Sequence, residues 1–279
     1  MMTGEPFDIE IGQAILAGSE LGEGLPVVFL HAGVADSRMW ASQMQAVAAA
    51  GWHAITYDRR GFGETESPDE PFSHLDDLEA LLDALDIHAA VLVGCSLGGG
   101  LALDFALRHP GRIIGLVLLG TSVTGAPWST SDMEAAVEAA EEDAHERGDL
   151  DMLNKVQAHQ WLDGPRAQSG RVGGAVRELF LDMNGIALRK PELTQGEPAP
   201  EVWSRVGEVA APTLLLVGDE DFGALIERHD HLSEEMPNAF AAVLEGVAHL
   251  PSIERPDLVN TLLLQFLDAI EGGGSPELD

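Results

Sequence analysis

The sequence has little cysteine, no long hydrophobic run and no leader-like start. Its single cysteine, Cys95, excludes a disulfide within the chain, which fits a reducing compartment. Apolar runs such as Val91–Val93 and Leu214–Val217 are far shorter than the roughly 20 residues that a membrane-spanning helix needs. Met1–Phe7 has no basic segment followed by an apolar one, as a secretory signal would. We therefore expect a cytoplasmic protein that does not insert into a membrane.

Positive charge is also scarce. Against 47 Asp and Glu residues the chain has 15 Lys and Arg, and its formal net charge is −32. Such a surface repels nucleic acid and anionic membranes, which disfavours both as partners. The only lysines are Lys155 and Lys190, and this low content fits a salt-rich habitat or, equally, a GC-rich genome. Composition leaves the oligomeric state open.

The sequence does contain a large apolar share, 45%, arranged as strands that alternate with helices. Short, continuous apolar runs are typical of strands buried on both faces of a parallel sheet. Strand-like runs lie at Leu25–His31, His53–Asp58, Ala89–Cys95, Ile113–Gly120, Thr213–Gly218 and Ala239–Leu244, with an edge hairpin near Phe7–Ala17. Helical patterns lie at Arg38–Ala50, Phe72–Leu85, Leu97–His109, Ala224–Met236 and Pro256–Ile270. The alternation predicts an α/β fold with a parallel sheet.

Strand-like runs are missing between residues 122 and 205. Helical patterns take their place, at Met133–Arg147, Val156–Leu162 and Gly174–Met183. We therefore expect one domain with an insertion and a disordered Gly/Pro-rich tail. The predicted parts are a core over residues 1–121 and 206–271, a helical cap over residues 122–205, and the tail over residues 272–279.

A glycine-rich motif marks the end of the strand Ala89–Cys95. Residues 94–98 read G-C-S-L-G and match G-x-S-x-G between an apparent strand and an apparent helix. The glycines make room for a sharp turn that exposes a serine hydroxyl near a helix N-terminus. Ser96 is therefore the candidate nucleophile, although an ordinary glycine-rich loop with a capping serine is the alternative. We expect the neighbouring Cys95 to be a small packed residue.

Two later loops supply candidates for a base and an acid. His249 follows the last predicted strand, and from there it can reach across the carboxyl ends of the strands. A carboxylate must hold such an imidazole in the correct tautomer. The preceding predicted strand, Thr213–Gly218, is followed by Asp219, Glu220 and Asp221. Of these we choose Asp221 as the acid, with Asp219 as the alternative. Paired Cys/His spacing is missing, so we expect no metal site.

Acyl transfer also needs two hydrogen-bond donors at the point where negative charge develops on the substrate. The backbone N–H of Leu97, directly after Ser96, is the first candidate for this oxyanion hole. The second is the N–H of Gly33, in the loop after the strand Leu25–His31, with Val34 as the alternative. A plain turn at the strand exit would place no donor there.

Five motifs, in order, resemble those of the α/β-hydrolase superfamily. They are LPVVFLHAG from Leu25, YDRRGFGETE from Tyr57, VGCSLGGGLAL from Val93, PTLLLVGDED from Pro212 and GVAHLPSIERPDLV from Gly246. The resemblance covers essentially the full chain and implies an eight-stranded, mostly parallel sheet flanked by helices, with an inserted helical cap. In this family the acid is usually the third residue after the strand-end glycine, which here is Asp221. The chain is similar to small-cap esterases, including 3-oxoadipate enol-lactonases.

The resemblance implies a serine hydrolase that cleaves a carboxylic ester or a lactone through an acyl-enzyme on Ser96, without a cofactor. A serine at this position argues against haloalkane dehalogenase and epoxide hydrolase chemistry, in which a carboxylate attacks. The net charge slightly favours a neutral or apolar small molecule as substrate. The expected pocket-lining residues are Val34, Trp128, Trp161, Phe180 and Met183.

Other functions stay open. A carbon–carbon bond hydrolase acting on a vinylogous diketone would use the same three residues, and a basic residue in the pocket, able to hold a carboxylate, would favour it. A thioesterase or a metal-free perhydrolase is not separable from an esterase by sequence. A ligand receptor on the same fold would bind tightly without turnover.

Overall fold

The computed structural model describes residues 4–274 and contains a single sheet of eight strands. The strands are β1 (Glu5–Ile11), β2 (Ala14–Leu21), β3 (Pro26–Leu30), β4 (His53–Tyr57), β5 (Ala90–Cys95), β6 (Ile113–Leu119), β7 (Thr213–Gly218) and β8 (Ala239–Leu244). Their order across the sheet is β1-β2-β4-β3-β5-β6-β7-β8. β1 pairs antiparallel with β2 and β2 antiparallel with β4, whereas the pairs from β4 to β8 are parallel. This confirms the predicted fold class.

Helices cover both faces of this sheet. They are α1 (Ala41–Ala49), α2 (His74–Ala84), α3 (Leu97–Arg108), α4 (Asp132–Glu146), α5 (Leu150–Ala158), α6 (Gly174–Arg189), α7 (Gly223–Glu235), α8 (Pro251–Glu254) and α9 (Pro256–Glu271). Side chains from α1 and α9 pack against one face, and side chains from α2, α3 and α7 pack against the other.

The central strands are apolar throughout because both of their faces are covered. Every residue of β5 is buried. Val91, Val93 and Cys95 belong to the core on the α1/α9 side, and Ala90 and Leu92 belong to the core on the α2/α3 side. Alternate side chains of a strand point to opposite faces, so a continuous apolar run serves two cores at once.

The chain between β6 and β7 forms α4, α5 and α6 and contains no strand within the described residues. α4 begins with a capping box, in which Ser131 and Glu134 each accept from the other's backbone N–H. α6 runs to Arg189, six residues beyond the predicted end at Met183. The boundaries of the predicted cap and core stay a prediction. The predicted disordered tail lies beyond α9, and its residues 275–279 lie outside the described residues.

Two helix predictions differ from the structure in detail. The pattern over Arg38–Ala50 forms a short 3-10 turn, Ser37–Trp40, before α1 begins. The pattern over Val156–Leu162 is divided between the end of α5 and a π-helical turn, His159–Asp163. Within residues 4–274, no helix combines the length and the apolar character needed to cross a bilayer.

Candidate active site

Ser96 lies in the turn between β5 and α3 with a strained backbone. Its φ of 54° and ψ of −118° are unusual for a residue with a side chain. A Cβ on Gly94 would lie 2.4 Å from the carbonyl oxygen of Gly98, and one on Gly98 would lie 2.1 Å from that of Leu30. Only glycine fits at these two positions, which explains physically why the motif needs them.

His249 and Asp221 form a buried hydrogen-bonded pair. His249 Nδ1 lies 2.8 Å from Asp221 Oδ2, and the side chains are 1% and 0% exposed. The other oxygen of Asp221 accepts from the backbone N–H of Phe222 at 2.8 Å. A carboxylate at Nδ1 holds the proton on that nitrogen, so Nε2 is left free to accept another.

The other two sequence candidates near this pair have different surroundings. Asp219 is exposed, and its Oδ1 accepts from the backbone N–H of Gly246 at 2.6 Å. Cys95 is fully buried, and its thiol donates to the carbonyl oxygen of His249 at 3.5 Å. Burial, with a smaller effect from the charge of Asp221, raises the pKa of the Cys95 thiol far above its ordinary value. A protonated, buried thiol is a poor nucleophile.

Ser96 and His249 line one cavity of about 300 Å³, which we call the serine cavity. Within residues 4–274, Ser96 Oγ forms no hydrogen bond, either to the imidazole or to another group. Catalytic hydrogen bonds are often long or poorly aligned without substrate and tighten when it binds. The geometry therefore joins the acid to the base and places the serine in the same cavity as the base.

The candidate oxyanion residues Gly33 and Leu97 are neighbours in the serine cavity. A Cβ on Gly33 would lie 2.7 Å from Leu97 Cδ1, so a side chain at position 33 would collide with Leu97. Leu97 is the first residue of α3, and the N–H groups of a helix's first turn have no partner within the helix. Its N–H is therefore available to a developing oxyanion.

The loop that carries Gly33 is held by His31 and Arg59. His31 Nδ1 donates to the carbonyl oxygen of Ala32 at 2.7 Å, and Nε2 accepts from the backbone N–H of Arg59 at 3.0 Å. Arg59 Nη2 donates to the carbonyl oxygen of His31 at 3.0 Å. Burial, together with the charge of Arg59, lowers the pKa of His31 well below its ordinary value, which keeps the ring neutral. Arg59 was not singled out from the sequence, where it is one arginine of the YDRRGFGETE motif.

Three of the five predicted lining residues, Val34, Trp128 and Trp161, line the serine cavity. The prediction for Phe180 and Met183 is wrong, because α6 turns both into the core, where they are fully buried and do not line this cavity. Apolar side chains at helical spacing serve a core or a pocket equally well, so the sequence pattern could not separate the two.

Trp161 is positioned by the π-helical turn His159–Asp163. Its ring centroid lies 4.6 Å from that of His249 and 4.8 Å from that of Phe222. Asp163 anchors the turn, accepting from the backbone N–H groups of Gly170 and Val172 and pairing with Arg177. Such π-helical turns occur frequently at functional sites, and here the turn places an aromatic ring against the imidazole.

Sequence reasoning missed a cationic group of the serine cavity, Arg228 on α7, which shares this cavity with Glu141 of α4. Its guanidinium is buried, donating to the carbonyl oxygens of Thr121 at 3.3 Å and Pro127 at 3.5 Å, and its Nε has no partner in the described chain. Burial lowers the pKa of Arg228 below its ordinary value. A buried guanidinium with this little hydrogen bonding is suited to an anionic group of a ligand.

Two residues from the segment between β6 and β7 hold the turn that carries Asp221. Arg166 Nη2 donates to the carbonyl oxygens of Asp219 and Asp221, both at 2.9 Å. Glu134, in the first turn of α4, accepts from the backbone N–H of Gly223 at 2.8 Å. The position of the acid therefore depends on Arg166 and Glu134 as well as on β7. No cluster of three or more His, Cys, Asp or Glu side chains suited to a metal ion occurs in the part of the chain that the structure describes.

Comparisons with known proteins identify the fold family of this chain. A family model described as alpha/beta hydrolase fold matches residues 26–256. The chain is 29% identical to a putative carbamate hydrolase, RutD, of Agrobacterium fabrum over 252 residues, covering 87% of this chain and 93% of that protein. It is also 29% identical to a 2-hydroxy-6-oxo-6-phenylhexa-2,4-dienoate hydrolase of Burkholderia cepacia over 261 residues, covering 89% and 90%.

Solved structures with the same fold cover nearly the whole chain. Est816, described as an N-acyl homoserine lactone degrading enzyme, superposes with a TM-score of 0.73 at 26% identity, covering 93% of this chain and 99% of that one. A thermophilic esterase of Thermogutta terrifontis has a TM-score of 0.76 at 24% identity, covering 95% and 99%, and supports the fold alone. The match of the family model over most of its length shows that this chain belongs to the α/β-hydrolase fold family.

Proposed function

We propose that the chain is a serine hydrolase that cleaves a small carboxylic ester or a lactone through an acyl-enzyme on Ser96. The observation that carries the proposal is the shared cavity of Ser96 and His249, combined with the buried Asp221 at 2.8 Å from the imidazole. The lactone-degrading enzyme Est816, which has the same fold at 26% identity, supports it.

In the acylation step, His249 Nε2 takes the proton of Ser96 while Oγ attacks the carbonyl carbon of the substrate. The N–H groups of Leu97 and Gly33 stabilise the negative charge that develops on the carbonyl oxygen. The carbon–oxygen bond to the alcohol then breaks, and His249 gives its proton to the leaving oxygen. For a lactone, this alcohol stays attached to the acyl group.

In the second step, His249 takes a proton from water, and the resulting hydroxide attacks the acyl carbon. The bond to Ser96 Oγ breaks, the serine regains its proton from His249, and the carboxylic acid leaves. Asp221 stays ionised and stabilises the imidazolium in both steps. The net reaction consumes one water for each ester or lactone bond.

Replacing the serine tests this proposal directly. We expect Ser96→Ala to lower kcat/KM on p-nitrophenyl butyrate by at least about 1,000-fold while the circular dichroism spectrum is unchanged. The matched control is the adjacent Cys95→Ala, which removes a packed thiol and should keep kcat/KM within about threefold. Equal turnover by wild type and Ser96→Ala would reject the proposal, and tight ligand binding by a wild type that turns over no ester would favour a receptor.

A second candidate, a carbon–carbon bond hydrolase, is favoured by Arg228. Its buried guanidinium supplies the basic residue that such a substrate, a dienoate carboxylate, would need. The relative from Burkholderia cepacia is named for hydrolysis of a compound of this type. Arg228 also places a cationic side chain in the serine cavity beside Glu141, which the net charge of −32 does not reveal.

Arg228→Met separates the two candidates when both substrates are assayed. A carbon–carbon hydrolase should consume 2-hydroxy-6-oxo-6-phenylhexa-2,4-dienoate, and the reaction is measured as the loss of the visible absorbance of this substrate. In that case Arg228→Met should raise KM for the dienoate by about tenfold or more. An esterase with a neutral substrate should show no dienoate turnover and a nearly unchanged KM for p-nitrophenyl butyrate.

A further inference from the structure

A second and larger cavity, of about 710 Å³, lies beside the serine cavity. We call it the α3 cavity because one face of α3 forms its floor. The α3 residues that line it are spaced three or four apart, as one helix face requires: Leu97, Gly100, Leu101, Asp104, Leu107 and Arg108. The opposite walls come from the start of α2 and from the segment between residues 197 and 205.

The α3 cavity adjoins the candidate active site. Leu97 and Ser122 line both cavities, so the two spaces meet at these residues. Leu97 is also the proposed oxyanion donor, and its side chain is half exposed at this junction. A substrate bound at Ser96 can therefore extend past Leu97 into the α3 cavity. Apolar side chains such as Phe62, Leu75 and Leu101 would cover an aliphatic chain there.

Asp104 is the unusual group in this cavity. It is only 7% exposed, yet its carboxylate accepts no hydrogen bond and has no ion-pair partner within residues 4–274. Burial raises the pKa of Asp104 to about 7. A buried carboxylate without a partner destabilises a fold, so a ligand that completes its hydrogen bonding would restore part of that loss.

Two of the three arginines that line the cavity are paired with carboxylates. Arg108 pairs with Asp76 at 2.7 Å, and Arg205 pairs with Glu208 at 2.8 Å. Asp104 therefore lies in a cavity whose two peripheral arginines already have carboxylate partners.

The remaining titratable groups of the cavity leave Asp104 without a counter-ion as well. Burial and the nearby arginines lower the pKa of His74 to about 3, so its ring is neutral. Arg59 donates from Nη2 to the carbonyl oxygen of His31, its Nε has no partner within the described residues, and Glu197 is exposed. None of these groups contributes to the shifted pKa of Asp104, which is caused by burial alone.

We propose that the α3 cavity is a substrate subsite that binds an apolar chain ending in a protonated amine, with Asp104 as the counter-ion of that amine. The part of this inference that calls the ligand a substrate rests on the proposed function. The net charge of −32 supports a cationic ligand, because the field of the whole molecule raises the local concentration of cations.

Binding to the Ser96→Ala variant tests the subsite without any need for turnover. The probes are n-hexylammonium, 1-hexanol and hexanoate, which share one chain and differ in the end group, measured by isothermal titration calorimetry. We expect n-hexylammonium to bind about tenfold more tightly than 1-hexanol, and hexanoate to bind most weakly. Binding of n-hexylammonium no tighter than that of 1-hexanol would overturn the proposal.

Two further substitutions, made in the Ser96→Ala background, assign the site. Asp104→Asn should weaken n-hexylammonium binding by about tenfold and leave 1-hexanol nearly unchanged, whereas the control Asp83→Asn, an exposed carboxylate on α2, should change neither. Ala199→Trp, which fills the cavity from the 197–205 wall, should weaken both ligands. Unchanged n-hexylammonium binding in Asp104→Asn would contradict the assignment.

The pH dependence gives a separate readout. Because the pKa of Asp104 is about 7, raising the pH from about 6 to about 8 ionises the carboxylate while n-hexylammonium keeps its charge. Binding should therefore strengthen over this range in Ser96→Ala and stay flat when Asp104→Asn is added. Identical pH profiles in the two proteins would contradict the role of Asp104.

These results can be told apart from those that test the proposed function. Ester turnover that requires Ser96, without selective amine binding, supports the proposed function and contradicts the proposed subsite. Selective amine binding that requires Asp104, without turnover of any ester, leaves an amine site and removes the hydrolase proposal.

Discussion

Two carboxylates that stand two residues apart have opposite surroundings, and this difference decides which one can act on His249. Asp221 is fully buried against His249 Nδ1. Asp219 is exposed and holds the backbone N–H of Gly246. The sequence alone presents both as candidates, because residues that follow a strand do not reveal which of them turns inward.

Removing one charge at a time separates these roles. We expect Asp221→Asn to lower kcat on p-nitrophenyl butyrate by about 10⁴-fold, because the amide no longer fixes the tautomer and stabilises no imidazolium. Asp219→Asn, the matched control, should lower kcat by less than about fivefold. Similar losses in the two variants would show that Asp221 has no special role.

Asp104 links a single residue to stability. Its pKa is raised by burial to about 7, above that of an unfolded aspartate near 3.9, so the folded state binds the extra proton between these values. The contribution of Asp104 to the stability of the wild type should therefore fall as the pH rises from about 4 through about 7.

Asp104→Asn removes that proton uptake. We expect its free energy of unfolding, from urea titration, to exceed that of wild type more at about pH 8 than at about pH 5. The difference between the two proteins should then be constant above about pH 8. A difference that does not change between these pH values would contradict the buried, unpaired state of the carboxylate.

Other residues of the site were predictable only in part. Ser96 and Asp221 follow strands, and His249 lies in the loop after the last strand, so their assignment as catalytic residues could be predicted and stays a prediction that the variants test. Arg228 could not be found in the same way, because a helix pattern does not show which polar side chain is buried in the folded protein. The only signal was a single arginine in the first half of α7.

At the scale of secondary-structure elements, the turn between β5 and α3 is the most constrained part of the site. Gly98 lies so close to β3 that a Cβ would meet the carbonyl oxygen of Leu30 at 2.1 Å. A backbone atom cannot move aside as a side chain can, so the strand and the helix would have to separate. The strained φ of Ser96 depends on this close packing.

A single methyl group tests this packing. We expect Gly98→Ala to lower the free energy of unfolding by about 2 to 4 kcal/mol, measured by urea titration, because the methyl group forces strand and helix apart. Gly111→Ala is the matched control, since nothing lies within 4 Å of its Cβ position, and it should change stability by less than about 0.5 kcal/mol. Equal stability of both variants would contradict the close approach.

The elements that the sequence predicted well share a physical cause. The continuous apolar strands β3 to β7 are buried on both faces, and burial of this kind requires the continuous apolar runs that the sequence shows. The π-helical turn His159–Asp163 was missed because it depends on residues further along the chain, which Asp163 binds. The periodicity of apolar residues within a short window does not reveal contacts with residues later in the chain.

At the scale of the whole molecule, the chain has 47 acidic residues and only 15 lysines and arginines, so repulsion between negative charges acts over the entire surface. Ion pairs such as Arg108–Asp76 and Arg205–Glu208 offset only a small part of it, since exposed pairs contribute little. Screening by salt should weaken this repulsion in the folded state, in which the charges are closest together.

Thermal unfolding in sodium chloride tests this expectation. We expect Tm at about pH 8 to rise by several degrees between about 0.05 M and about 1 M salt, and to rise less at about pH 5, where part of the carboxylates bind protons. A Tm that is constant or falls with salt at about pH 8 would show that net repulsion does not limit the stability of this fold.

The central claim is that the hydroxyl of Ser96, with His249 as its base, is the group that attacks the substrate. The most direct measurement is the site and rate of covalent labelling by a fluorophosphonate, read by mass spectrometry of the intact protein and its peptides. We predict one label per chain, on Ser96, which is absent in Ser96→Ala and slowed by at least about 100-fold in His249→Ala. A label on another residue, or equal labelling rates in wild type and His249→Ala, would contradict the account.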